Sequence, residues 1–230
     1  MPVSIRHATV QDAPSIAEII KLAFEEDASI PQIETCISKL DFHTCVADSD
    51  SKVIGFVFGF PTISIDGEKR IELDLQAVHP DYHGQGAGKK LINHFTQNVT
   101  DTDFIRVLVA AGNTRMEKAL TRHGYSTDDI LCGLYVSSES VEKSGIPENS
   151  HPIPVTTMTY NGIWLEGNVT GVTISAAFKQ RQSDDDIVGA VVAEQDTSAI
   201  EALYSSGFTF INHYRRWTVT LREKNRPGIR

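Results

Sequence analysis

Hydrophobic and polar positions alternate along this chain in short runs whose period changes from two to about 3.6 and back. Val3 to Ala8 reads as a first strand, and Gln11-Asp12-Ala13-Pro14 punctuates it, with Pro14 suited to a first helical turn. Ile16, Ile19, Ile20, Ala23 and Phe24 recur at helical spacing, so the next element is a helix with one buried face. Glu25-Glu26-Asp27 ends it, and a weaker helical stretch runs from Ile30 to Leu40. Phe42 to Asp48 and Lys52 to Phe60 read as a strand pair across the polar turn Asp48-Ser-Asp-Ser51. In the next strand Ile71, Leu73, Leu75 and Ala77 alternate with Glu72, Asp74 and Gln76, which predicts two unlike faces. Pro80 has no N–H to give and stops the pairing. Gly84, Gly86 and Gly88 then form a tight loop, and Leu91, Ile92 and Phe95 continue as a helix. Phe104 to Ala111 is apolar apart from Arg106, as in a central strand covered on both sides. Asn113 opens a further helix, which Gly124-Tyr125 closes.

The second half repeats part of the first. A shift of 83 positions sets Asp103–Tyr125 against Asp186–Phe208, and seven of the 23 pairs are identical. The match predicts a strand over 187–193 and a helix over 197–205 ending at Gly207. Between the apolar stretch Gly171–Phe178 and Ile187 only Lys179 to Asp186 remain, too few for a second glycine loop with its helix. Glu139 to Pro154, rich in Ser, Pro, Gly and Glu, reads as a linker. The expected organisation is a first domain over 1–138, a linker over 139–154 and a partial repeat over 155–230 without a glycine loop.

A helix that starts in a glycine loop presents unpaired N–H groups and the positive end of its dipole, which makes an anion site. It is not a Walker loop, since His83 stands where the first glycine belongs and Lys90 where the magnesium-binding hydroxyl belongs. Nor is it the dinucleotide fingerprint, whose third glycine falls on Lys89. The residues Val78-His-Pro80-Asp-Tyr-His83-Gly84-Gln85-Gly86-Ala87-Gly88 resemble the acyl-CoA loop of the GNAT superfamily of N-acetyltransferases. The opening run Ile5 to Asp12 and the segment Asn113 to Tyr125 are similar to that family as well, with Met116 and Leu120 departing from its usual alanine and tyrosine.

The resemblance implies an α/β (α+β) fold, a mixed twisted sheet flanked by helices, with acetyl-CoA as co-substrate. It places the phosphate cradle at His83, Gly84, Gln85, Gly86, Ala87 and Gly88, with Lys89 or Lys90 adding charge and Asn113 contributing from the next helix. The backbone of Ala77 and Val78 would bond the pantetheine arm, and the Val78 N–H would polarise the thioester. Glu72 is the expected base, with Asp74 in reserve on the same strand face. The usual thiolate partner is missing at Leu120, which leaves Tyr125 and Tyr135 as candidates. The implied reaction is acetyl transfer to a primary amine of a small or amino-acid-like acceptor. A non-catalytic acyl-CoA sensor and a protein N-terminal or lysine acetyltransferase are the alternatives.

Charge changes the picture only by exclusion. The formal net charge is −9, which argues against nucleic acid as a partner. Residues 215–230 hold six bases and one acid, and a solvated tail is the preferred reading. Three cysteines in no metal or redox spacing, and histidines without zinc spacing, predict no metal. No leader and no apolar run of membrane length are read, so a soluble cytoplasmic monomer or homodimer with no membrane partner is expected.

Overall fold

The computed structural model describes residues 3–139 and 142–221. The basic tail beyond residue 221 lies outside them. The first half runs β1 (Ser4–His7), α1 (Ala13–Phe24), α2 (Ile30–Ser38), β2 (His43–Ser49), β3 (Lys52–Ile63), β4 (Lys69–Val78), α3 (Ala87–Asn98), β5 (Phe104–Ala110), α4 (Thr114–Arg122), β6 (Ser126–Thr127) and β7 (Cys132–Ser137). The second runs β8 (Ser150–Thr156), β9 (Asn161–Gly167), α5 (Gly171–Phe178), β10 (Ile187–Ala193), α6 (Thr197–Ser205) and β11 (Thr209–Thr220). The strand at 187–193 and the helix at 197–205 lie where the repeat puts them.

All strands join one mixed sheet in the order β1-β2-β3-β4-β5-β11-β7-β10-β9-β8, with β6 beside β11. The parallel pair β4–β5 is matched across the middle by the parallel pair β10–β9. The two halves exchange their last strands. β11 of the second half lies antiparallel on β5 of the first, while β7 of the first lies antiparallel on β10 of the second. The 83-residue shift carries 126–137 onto 209–220, so the repeat extends through both exchanged strands. Neither half closes its sheet alone.

Two sequence readings need correction. Five residues of the expected linker are strand: β8 begins at Ser150 and pairs with β9 throughout. It tolerates Pro152 and Pro154 because it is an edge strand, and it buries Ile153 and Val155. The stretch Gly171–Phe178 is itself the helix of the second half, so the search for one after residue 178 begins too late. That helix carries no glycine loop. Thr170 and Thr173 cap it reciprocally, which uses the N–H groups an anion would need.

Three cores hold the layers. Ile71, Leu73, Val107, Leu91, Phe95 and Trp217 pack between the sheet and helices α3 and α4. Ile16, Ile20, Ile33, Phe56, Phe58 and Phe60 pack on the opposite face under α1 and α2, joined by Ile153 and Val155 from β8. Ile163, Ile174, Val188, Leu203 and Phe208 fill the second half. The sheet curls until its far strands return to β3 and β4. His151 Nε2 donates to the Ile63 carbonyl at 2.8 Å, and the Trp164 and Phe60 rings lie 5.4 Å apart. Strands β4, β5, β11, β7, β10 and β9 thereby wrap around a common space. Among the described residues no helix is long and apolar enough to cross a membrane.

Candidate active site

The site grows from one irregularity in β4. Phe58 of β3 faces Leu75 and Gly59 faces Leu73, so Asp74 is an extra, bulged residue without a partner. A bulge re-aims the side chains that follow it. Ile71 and Leu73 point to the core under α3, whereas Leu75 and Ala77 point to the opposite core under α1. The strict alternation read from the sequence therefore holds only up to the bulge. Gln76, which that reading puts beside Asp74, turns to α3 and donates from Nε2 to the Gly88 carbonyl at 3.0 Å.

Beyond the bulge β4 parts from β5. The two strands pair from Arg70–Phe104 to Leu73–Val107, and β4 then continues alone to Val78. His79 N–H donates to the Ile54 carbonyl at 2.8 Å, making that a hydrogen-bonded pair. The neighbouring pair Gly55–Val78 is then non-hydrogen-bonded, and Val78 directs its N–H and C=O away from β3 into the gap. Its carbonyl is taken by His83 Nε2 at 2.8 Å. His83 thus folds back on the strand, and the N–H is left toward the opening.

A cleft of about 450 Å³ lies at this gap. Ala77, Val78, His83, Gly84, Gly86, Ala87, Gly88, Lys89 and Asn113 line it; Gln85, exposed, does not. Gly84 and Gly86 have φ of +81° and +80°, and a Cβ added to either meets nothing within 4 Å. Gly86 caps α3 without any side-chain bond, so the first N–H groups of the helix face the cleft uncapped. The Asn113 Oδ1 caps α4 by accepting from Met116 N–H. Lys90 is turned away, donating to the Val3 carbonyl at 2.8 Å. Arg115 and Arg122 of α4 line the cleft beside Lys89. Sequence reasoning missed both, although their seven-residue spacing on a helix opening at Asn113 puts them on one face. The buried Gln76 Oε1, an acceptor without a partner, also belongs to this wall. An open cradle of N–H groups, three cations and an unpaired acceptor fit a phosphorylated ligand with an amide-bearing arm, as CoA is.

A second cavity, of about 240 Å³, lies where the curled strands enclose space. The two are contiguous along the chain: residues 72–75 of β4 line the cavity and 76–78 the cleft, while Glu26 and Ala23–Phe24 divide likewise. Most of its wall comes from the second half, including Tyr160, Trp164, Glu166, Tyr214 and Arg216. No local signal in the sequence announces these residues as site residues, because they converge only through the strand exchange.

Glu72, the first choice of base from sequence, sits instead in a buried ion network. Arg70 Nε approaches it at 2.6 Å, and Arg106 grips both its oxygens through Nε and Nη2 at 2.9 Å. Thr62 Oγ1 donates to it at 3.0 Å. Glu166 of β9 closes the quartet, bonded by Arg70 at 2.7 and 3.0 Å and by Arg106 at 2.7 Å. Burial pushes the Glu166 carboxyl up, but Arg106 and Arg70 outweigh it and hold it below the usual range. A carboxylate engaged by two guanidiniums has little basicity to offer. Asp74 differs. It has no guanidinium partner among the described residues, and burial, followed by the charges of Glu72 and Glu26, pushes its carboxyl up to about 7. The Tyr160 hydroxyl beside it, accepting from Trp164 Nε1 at 2.9 Å, is raised well above its ordinary value, chiefly by burial.

The tyrosines named from sequence stand apart from both cavities. Tyr125 is buried with its hydroxyl on Thr96 at 2.9 Å, and Tyr135 packs edge-on against Tyr204 and Phe210. Leu120 is core.

Residues 13–125 match the sequence model of the Acetyltransferase (GNAT) family. A putative acetyltransferase from Pyrococcus horikoshii is similar in structure over 95% of this chain and 89% of its own, with TM-score 0.63 and 13% identity. A GCN5-related N-acetyltransferase from Sphaerobacter thermophilus is similar over 99% and 97%, with TM-score 0.60 and 13% identity. Arabidopsis thaliana NAA60, solved with a bisubstrate analogue, covers 57% of this chain and 88% of its own at TM-score 0.51 and 16% identity. No curated protein matches the sequence at a significant level. At these identities the structural likeness speaks for the fold.

Proposed function

Through residues 13–125 this chain belongs to the acetyltransferase (GNAT) family of acyltransferases, and we propose that it moves an acetyl group from acetyl-CoA to the primary amine of a small, amino-acid-like acceptor by direct attack. The observation that carries this reading is Asp74, unpaired and raised to about 7, in a cavity that adjoins the glycine-loop cleft along a single strand.

When bound, acetyl-CoA supplies a thioester carbonyl for attack and a thiolate as leaving group. The first-turn N–H groups of α3, with Lys89, Arg115 and Arg122, hold the phosphate charges. The Val78 N–H, aimed into the gap between β4 and β5, donates to the carbonyl oxygen as negative charge develops there. Asp74 takes the proton from the acceptor ammonium. Raising a carboxyl from 3.8 to about 7 makes it about a thousandfold better matched to an ammonium near 10. Glu72 acts at one remove, holding the strand in register through its arginines while its charge helps raise Asp74. With Leu120 in the tyrosine slot, the thiolate departs without a dedicated acid, which a group of pKa about 8.5 permits.

A turnover screen of acetyl-CoA against amines and amino acids, following CoA release, tests the reading. Acetyl transfer to at least one amine is expected, with kcat reduced in Asp74→Asn and the affinity for CoA retained. CoA binding without turnover on any amine would overturn it.

A further inference from the structure

Once the Arg70–Glu72–Arg106–Glu166 quartet is set aside as two cations paired with two anions, three charged groups still line the acceptor cavity. Asp74 and Glu26 are acids, the latter exposed at the rim. Arg216 is a base. It lies on β11, where Trp217 and Val219 turn to the core under α3 and α4 while Tyr214 and Arg216 turn to the cavity.

Arg216 has no carboxylate within 4 Å among the described residues. Its Nη2 donates to the Val191 carbonyl at 2.8 Å, which uses one of five donors. The Cys132 thiol shares its neighbourhood and is neutral in character: burial pushes it up, while Arg216 draws it down. Asp128 and Glu194 also act on that thiol, and Glu194 is engaged by His213. A half-buried guanidinium with four spare donors and no anion of its own is poised for a planar anionic group from outside. Between the acids and this cation the wall is apolar, built from Leu108, Leu134, Val191 and Trp164. The cavity, at about 240 Å³, is below the roughly 300–1,000 Å³ of sites for drug-sized ligands.

We infer that the acceptor is a small zwitterion, its amine at Asp74 and its carboxylate on the guanidinium of Arg216, with an apolar side chain against Leu108, Leu134 and Val191. The inference rests on the acetyl-transfer reading above and adds to it the acceptor's second charge. Glu26 at the rim favours entry amine first, and Arg216 fixes the opposite end so that the amine meets the gap beside Val78.

Matched acceptors that differ only at the carboxyl group test it. The full-length protein is assayed with acetyl-CoA and leucine, leucinamide or isopentylamine. Leucine is expected to exceed the other two in kcat/KM by about tenfold to a hundredfold, carried by KM, as a charge-assisted bidentate contact implies. Arg216→Leu should bring the ratio of leucine to leucinamide close to one, and Arg216→Lys should recover part of it. Circular dichroism and melting of each variant separate a lost preference from a lost fold; should Arg216→Leu not fold, Arg216→Gln takes its place in the comparison. Equal kcat/KM for the three acceptors, or an unchanged ratio in the folded variant, overturns the inference and leaves acetyl transfer standing. No turnover on any amine, with acetyl-CoA bound, overturns both.

Discussion

Replacing Asp74 by asparagine keeps the size and shape of the side chain and removes its charge, which makes two effects separable. The native carboxyl titrates at about 7 against an ordinary 3.8. Between those values the unfolded chain holds fewer protons than the native protein. Stability therefore falls as pH rises through that window and levels off above about 7. About three pH units at about 1.4 kcal/mol each set an upper bound of about 4 kcal/mol for the loss. Asp74 is half-buried, and access through the cavity reduces that figure. Asp74→Asn lacks this titration, so its stability relative to the parent should climb from pH 4 to pH 7 by about 2–4 kcal/mol. Urea unfolding of both proteins at pH 4.5, 6, 7 and 8.5 measures the climb. The same substitution removes the proposed base, and kcat should drop by about 10²–10⁴. In the parent, kcat/KM should rise with pH through an apparent pKa near 7. Parallel stability curves together with parent-like turnover would refute the reasoning, since they require an unperturbed and idle carboxyl.

Three further outcomes follow from the same geometry. Gly86→Ala forces a side chain into the left-handed region at φ +80°, costing about 1–2 kcal/mol at the start of α3, and calorimetry should find weaker binding of CoA. Glu166→Ala leaves Arg70 and Arg106 half-paired in the interior, and chemical denaturation should show a loss of about 3–5 kcal/mol. Truncation after Ser144 removes β11 from between β5 and β7 and opens both strands at the centre of the sheet. The fragment should be insoluble or unfolded, and a soluble fragment with full activity would contradict the exchange of strands as a structural necessity.

The chain by itself determined the elements whose periodicity is local: α1 from its isoleucine stripe, β4 with its glycine loop and α3, and the repeated strand and helix of the second half. It also determined the loop chemistry, because glycines at fixed spacing ahead of a helix act through their own backbone. Where the two carboxylates of β4 would diverge in role was not legible. Glu72 and Asp74 look equivalent two residues apart, yet a one-residue bulge and two arginines, one of them on β5, made one a structural ion and left the other unpaired. The bulge depends on how β3 registers against β4, which no alternation within a single strand reveals. The acceptor cavity was likewise beyond local reading. Its wall joins Asp74 to Tyr160, Trp164 and Arg216 across much of the chain, and only the curl of an exchanged-strand sheet brings them together. Backbone-encoded chemistry is written in sequence because its geometry is short-ranged. Charge pairing and enclosure are set by which distant strands become neighbours, and that the tertiary structure alone decided.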